Sequence, residues 1–113
     1  MVLRNICYML NSFIHCSAYD NVIFCWVMHE QSIIDGILRE LDTTNCIVRT
    51  ISLTVDEPNL RGRLAADVAH GIRTADVIER SIKRISMYSE LDTIKINTSN
   101  KSVPEVVNEI KSL

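Results

Sequence analysis

Short runs of β-branched and aromatic residues alternate along this chain with segments whose apolar residues recur every three or four positions. The runs have the composition of β-strands, and the wider spacing places apolar side chains on one face of a helix. Strands that alternate with helices favour a parallel sheet with helices on both faces. The pattern therefore predicts a three-layer αβα protein of the α/β class with a small parallel sheet of about three strands.

Three segments have the composition of strands. Residues Asn21–Met28 read NVIFCWVM, without polar alternation, which is typical of a strand covered on both faces. We expect this segment to be the central strand. A second strand is predicted over Cys46–Val55, and a third over Thr93–Asn97, where apolar and polar residues alternate as in a half-covered strand.

Capping signals mark the starts of three of the five predicted helices. Ser32, Asp56 and Ser102 are the expected N-caps, with Pro58 in the first turn after Asp56 and Glu105 completing a capping box with Ser102. The five helices are predicted over Leu3–Ala18, from Ser32 to near Asp42, from Asp56 to near Gly71, from near Thr74 onward, and from Ser102 to the last residue. The predicted order is α, β, α, β, α, α, β, α.

Length and charge exclude several classes of protein. A chain of 113 residues is predicted to form a single domain, 1–113, and its net charge of −2 argues against nucleic acid as a partner. The longest apolar run, Val22–Met28, falls far short of the ~20 residues that cross a bilayer. The N-terminal residues lack the pattern of a secretory signal. We expect a cytoplasmic protein that does not bind membranes.

The four cysteines and three histidines do not form a metal-binding pattern. Cys7, Cys16, Cys25 and Cys46 include no CxxC pair, and the histidines are dispersed. Each cysteine lies in an apolar stretch, which favours buried, reduced thiols. We therefore expect no metal site.

The stretch from Tyr19 to Leu113 resembles the C-terminal part of small P-loop kinases of the shikimate-kinase-like and adenylate-kinase-like group. The resemblance depends on VIFCWVM followed by HEQS, on ISLTVDEPNLRGRL, on the R-x3-Y from Arg84 to Tyr88, and on TIKINTSNKS. It implies ATP and Mg²⁺ as ligands of the intact kinases, and a nucleotide or small phosphorylated molecule as a ligand here. It also implies a lid-like helical segment over residues 57–89.

The phosphate loop of those kinases, G-x4-GK[ST], is absent, because none of the three glycines lies in such a turn. That loop supplies backbone N–H groups, a lysine and a hydroxyl for the phosphates and Mg²⁺. We therefore expect the isolated chain to be inactive, either as a truncated kinase or as a half-length relative. The missing strand would leave a gap in the sheet, closed either by direct pairing of the remaining strands or by a second copy of the chain; because of the second option, a homo-oligomer is expected.

Six of the 12 basic residues, but only three acidic ones, lie between Arg61 and Arg84. By resemblance, Arg63 and Arg73 would be catalytic lid residues that clamp the transferred phosphoryl group, because forked guanidinium donors match phosphate oxygens. Arg80 and Arg84 would contact substrate. Helical spacing places Arg73, Arg80 and Arg84 on one flank of the predicted helix, where pairing with neighbouring carboxylates is the alternative.

The loop after the last strand supplies the remaining candidate residues. Ligands of parallel sheets bind beyond the carboxyl ends of the strands, and by resemblance Thr98, Ser99 and Asn100 would line a nucleotide (cofactor) pocket there. The leading hypothesis is thus a kinase-like domain whose intact relatives transfer a phosphoryl group from ATP to a small molecule. The alternative hypothesis is a non-catalytic, self-associating or regulatory α/β module that uses exposed strand edges.

Overall fold

The structure is a computed structural model that describes residues 2–113. Its elements are α1 (Val2–Ile14), α2 (Gln31–Glu40), β1 (Ile51–Thr54), α3 (Glu57–Ala69), α4 (Asp76–Ser89), β2 (Ile94–Asn97) and α5 (Val103–Lys111). The chain divides into two compact units, one ending at Val48 and the other spanning Arg49–Leu113. The N-terminal unit contains α1 and α2, and the C-terminal unit contains the other five elements.

The starts of α3 and α5 agree with the sequence prediction. The Asp56 carboxylate accepts a hydrogen bond from the backbone N–H of Asn59 at 2.8 Å, and Pro58 lies in the first turn, where its missing N–H costs nothing. The Ser102 hydroxyl and the Glu105 carboxylate form the reciprocal capping box of α5. Local capping chemistry therefore sets both helix starts.

Other helix ends differ from the prediction. The helix α2 begins at Gln31, so Ser32 lies inside it and is not its cap, and the N-cap residue Glu30 makes no side-chain capping bond. The helix α1 ends at Ile14, four residues before the predicted end at Ala18. After α3, Gly71 adopts a φ of +72°, a left-handed conformation that glycine tolerates because it has no Cβ.

The two strands pair in parallel in the C-terminal unit. Ile51 lies opposite Ile94, and Thr54 lies opposite Asn97. The connection between the strands runs through α3 and α4; α4 packs against β1, and α5 packs against β2. The protein is therefore a mixed α/β structure with a two-stranded parallel sheet, and only four residues of the predicted strand Cys46–Val55 join it.

The predicted central strand Asn21–Met28 is not formed, and that prediction was wrong. The residues run outside any helix or strand, and most of them are exposed. Within residues 2–113, the backbone N–H and C=O groups of residues 22–28 make no backbone hydrogen bond. A strand exists only when a neighbour pairs with it, and the composition of a segment does not supply that neighbour.

The core of the N-terminal unit is small and lies between α1 and α2. Its buried residues are Cys7, Leu10 and Ile37. Phe24 and Met28, which lie between the two helices in sequence, pack against them. Asn11 on α1 binds the end of α2. Its side-chain amide donates to the Glu40 carbonyl at 3.0 Å, and its side-chain oxygen accepts from the backbone N–H of Asp42 at 2.8 Å. These contacts hold the two helices of this unit together.

The cysteines depart in part from the expected burial. All four are free, and Cys7 is buried as expected, but Cys25 and Cys46 are exposed. Both lie in stretches that were predicted to be strands, at residues that join no strand. Among the helices that the structure describes, none has the length and apolar character needed to cross a membrane.

Candidate functional site

The carboxyl ends of β1 and β2 lie at the same edge of the parallel pair, because Thr54 is opposite Asn97. The helix α3 begins three residues after β1, and α5 begins six residues after β2. Their connecting loops therefore meet at this edge, which is where α/β proteins with parallel sheets bind ligands. We call the loops and their neighbouring side chains the carboxyl-edge site.

Thr98 organises the carboxyl-edge site. It is only 8% exposed, and its N–H and its hydroxyl both donate to the Thr54 carbonyl, at 2.7 Å and 2.9 Å. Arg63 on α3 reaches the same residue: Nη1 donates to the Thr98 hydroxyl at 2.9 Å, and Nη2 donates to the Thr98 carbonyl at 2.6 Å. The structure thus brings together Arg63, which we expected in the lid, and Thr98, which we expected in the nucleotide pocket.

Ser99 and Asn100 continue the loop that Thr98 begins. The Ser99 hydroxyl accepts from the backbone N–H of Asp56 at 2.9 Å, and the Ser99 N–H donates to the Asn97 side chain at 2.9 Å. Asn100 adopts a φ of +58°, in the left-handed region that asparagine visits more readily than most residues. The loop is therefore fixed to the first turn of α3, and its residues are held by the protein's own groups.

A carboxylate of the chain occupies each helix N-terminus at this edge. The backbone N–H of Asn59, and then its side chain, lower the pKa of Asp56, with smaller contributions from Ser99 and Arg63. Hydrogen bonds from Ser102 likewise lower the pKa of Glu105. Ionised carboxylates already complement the positive ends of both helices, so a phosphate would have to displace them or bind elsewhere in the site.

The other predicted arginines are not gathered around Thr98. Arg73 follows α3 and donates to Asp67 at 3.1 Å, and Arg80 pairs with Asp76 at 3.5 Å on α4. Arg73 precedes α4, so the expected alignment of Arg73 with Arg80 and Arg84 on one helix was wrong. Among residues 2–113, Arg84 has no hydrogen-bond or ion-pair partner. The carboxylate pairing foreseen as the alternative is observed for Arg73 and Arg80.

Arg61 has a structural position that the sequence analysis missed. It contacts Glu57 one turn away at 3.0 Å and Glu79 on α4 at 2.7 Å, and so it joins α3 to α4. The two carboxylates raise the pKa of Arg61, and Arg61 lowers the pKa of Glu79. The spacing of four residues from Glu57 was the available signal, but nothing local in the sequence pointed to Glu79.

The second candidate site is the apolar stretch Val22–Met28, which we call the 22–28 segment. Phe24 and Met28 pack on the core and the other five residues are exposed, although Val22 and Trp26, at even positions, are less exposed than Ile23 and Val27. Ile23 is 85% exposed. The segment therefore has the side-chain pattern of a half-covered strand, but its backbone groups have no protein partner.

A groove runs between α1 and the 22–28 segment. It has a volume of about 190 Å³, and its lining includes Met9 and Phe13 from the helix and Val22 and Ile23 from the segment. Phe24 and Trp26 lie side by side with their ring centroids 6.4 Å apart. The exposed apolar surface is thus continuous from the helix to the segment.

Comparisons with known proteins identify no relative: no family model, no curated protein and no solved structure matches the chain. Within residues 2–113, no group of three or more His, Cys, Asp or Glu side chains is arranged to hold a metal ion. The arguments for function therefore come from the two candidate sites themselves.

Proposed function

We propose that this chain is a non-catalytic assembly module that associates with itself through the 22–28 segment. One observation carries the proposal: seven consecutive apolar residues lie outside any helix or strand, are largely exposed, and make no backbone hydrogen bond within residues 2–113. Unpaired strand edges are templates for pairing with another chain, and contiguous exposed apolar surface marks interaction sites. The segment combines both properties.

A second copy of the chain meets the requirements of this segment. It presents an identical unpaired backbone, so one contact satisfies both copies and closes the assembly as a two-fold dimer, the commonest symmetry of soluble oligomers. The small net charge of −2 opposes association only weakly. Self-association also agrees with the homo-oligomer expected from the sequence.

Sedimentation equilibrium over a range of concentrations tests the proposal with a matched pair of variants. Ile23 and Ile47 are the same residue type, are both 85% exposed, and lie in the same unit, but only Ile23 is in the segment. Wild type and Ile47→Lys should dimerise with the same affinity, and Ile23→Lys should be monomeric with an unchanged circular dichroism spectrum. A monomeric wild type, or equal effects of the two lysines, would refute self-association through the segment.

The contact between Arg63 and Thr98 favours a second function, which belongs to the C-terminal unit. We propose that the parallel pair is part of a P-loop-kinase-like αβα sheet, and that its carboxyl edge binds a nucleotide or small phosphorylated molecule without catalysing transfer. Arg63 is exposed, and a guanidinium group has five N–H donors, so it can bind phosphate and Thr98 together. ATP, with Mg²⁺, is the ligand that the resemblance favours.

Equilibrium dialysis of ATP against the full chain tests the second function. Arg63→Ala should weaken binding about tenfold, the loss that one charge-assisted contact typically gives. Arg80→Ala removes the same group from a position already paired with Asp76 and should leave affinity unchanged. Equal affinities of wild type and Arg63→Ala, or no binding by wild type, would exclude this role for the carboxyl-edge site.

A further inference from the structure

The arrangement of the 22–28 segment also points to a particular dimer. We infer that two copies pair their 22–28 segments antiparallel about a two-fold axis at Cys25. The inference rests on the self-association proposed above and adds the direction, the register and the central residue of the contact. Parallel pairing is excluded by symmetry, since two identical strands related by a two-fold axis perpendicular to them run in opposite directions.

The position of Cys25 fixes the register. It is the middle residue of the seven-residue apolar run Val22–Met28, so only a pairing centred on it places every apolar residue opposite another. In any other two-fold register, some apolar residues of the run lie opposite the polar residues that flank it, such as Asn21 or His29. In the centred register Asp20 lies opposite Glu30 of the second copy at both ends, and these like charges confine pairing to the apolar run.

The centred register also makes chemically reasonable cross-strand pairs. Phe24 lies opposite Trp26 of the second copy, and aromatic pairs across an antiparallel ladder are stabilising. Cys25 lies opposite Cys25 of the second copy. Their Cα atoms are about 4.5–5.5 Å apart in an antiparallel ladder, which is within the range that a disulfide spans. Cys25 is exposed in each copy, so its thiol is free to meet the thiol of the second copy across the ladder.

The available area suits a small dimer. The exposed fractions of Met9, Phe13, Val22, Ile23, Trp26 and Val27 amount to roughly 300 Å² of apolar side-chain surface per copy, taking about 100 Å² for each fully exposed side chain. If the contact covers all of this surface, two copies bury roughly 600 Å² of it, and because homodimer interfaces are about 65% apolar, the whole interface then reaches about 1,000 Å². This is close to the lower limit for a specific interface, about 1,000–1,200 Å².

Cross-linking through Cys25 tests the register. Diamide oxidises two thiols to a disulfide and is itself reduced to the hydrazine, taking two electrons and two protons. Treated with diamide and run on a non-reducing gel, wild type and Cys46→Ser should give a covalent dimer, and Cys25→Ser should not. Cys46 is the matched control, because it is also exposed and lies in the same unit.

A monomeric variant separates pairing from random collision. At about 10 µM protein, Ile23→Lys should cross-link roughly 100-fold more slowly than wild type, because within a dimer the effective concentration of the facing thiol is in the millimolar range. Equal rates would show collisional chemistry and overturn the inference. A sedimenting dimer that forms no Cys25 cross-link would overturn the antiparallel register and leave self-association standing, whereas a monomeric wild type would overturn both.

Discussion

Replacing Arg63 with alanine removes both hydrogen bonds that join α3 to the loop after β2. Nη1 and Nη2 donate to the hydroxyl and carbonyl of Thr98 at 2.9 Å and 2.6 Å. A net contribution of about 0.5–1.5 kcal/mol for each bond gives a loss of about 1–3 kcal/mol for the two bonds, and we expect the lower end of this range because Arg63 is exposed. The Thr98 hydroxyl keeps its bond to the Thr54 carbonyl, so the loop should stay in place.

Urea unfolding followed by circular dichroism measures this loss. With a slope of about 1–2 kcal/mol per molar urea, the midpoint of the transition should fall by about 1 M. Arg80→Ala is the matched control: its ion pair with Asp76 is exposed and long, at 3.5 Å, and should move the midpoint by less than the error of measurement. Equal shifts for the two variants would refute the structural role assigned to the contact between Arg63 and Thr98.

Two further predictions concern other parts of the structure. Leu10→Ala opens a cavity in the core of the N-terminal unit and should lower the free energy of unfolding, measured with urea, by about 2–5 kcal/mol. The neighbouring Met9 is exposed, so Met9→Ala should lower it far less, and equal losses would contradict the assigned core. Asp56→Asn keeps a good N-cap but removes the charge, and hydrogen bonds hold the Asp56 pKa below its ordinary value of 3.8. The stability advantage of wild type over this variant should therefore be complete above that value and vanish as the pH falls through and below it; a pH-independent difference would contradict the assignment.

Helices were largely predictable because their determinants are local. Apolar spacing located all five, and the starts of α3 and α5 follow from Asp56, Pro58 and the capping box of Ser102. The start of α2 was misplaced because Ser32 is a good cap by type, yet the N-cap residue is Glu30, two residues earlier, and it makes no side-chain capping bond. A capping preference is worth only about 1 kcal/mol, so a good cap residue alone does not determine where a helix begins.

Strands were less predictable because a strand depends on a distant neighbour. Ile94–Asn97 forms because β1 supplies a parallel partner, and the same holds for Ile51–Thr54. Residues 22–28 have equal or greater β propensity, but within residues 2–113 their backbone makes no backbone hydrogen bond. Residues 46–50 are likewise outside any strand, although the Thr50 carbonyl accepts a hydrogen bond from the Ile94 N–H at 2.8 Å. The apolar composition of residues 21–28 predicted a strand covered on both faces, which was wrong because most of these residues are exposed. Composition alone could not determine whether their backbone is paired.

The carboxyl-edge site was predictable in location but not in its contacts. The rule for parallel sheets directed attention to the residues after β2, where Thr98 contacts Arg63 and Ser99 contacts Asp56. The contact of Arg63 with Thr98 joins residues 35 positions apart and depends on how α3 packs, so no local pattern reveals it. Arg73 and Arg80 lie beside carboxylates, which a count of basic residues does not show.

Self-association of the protein depends on residues 22–28 pairing with the same residues of a second copy. Amide hydrogen exchange of this segment, compared between dilute and concentrated protein, measures that pairing. We expect alternate amides from Val22 to Met28 to become protected as the concentration rises, while the amides of β1 and β2 keep the same protection at every concentration. Exchange in the segment that is fast and independent of concentration would contradict it.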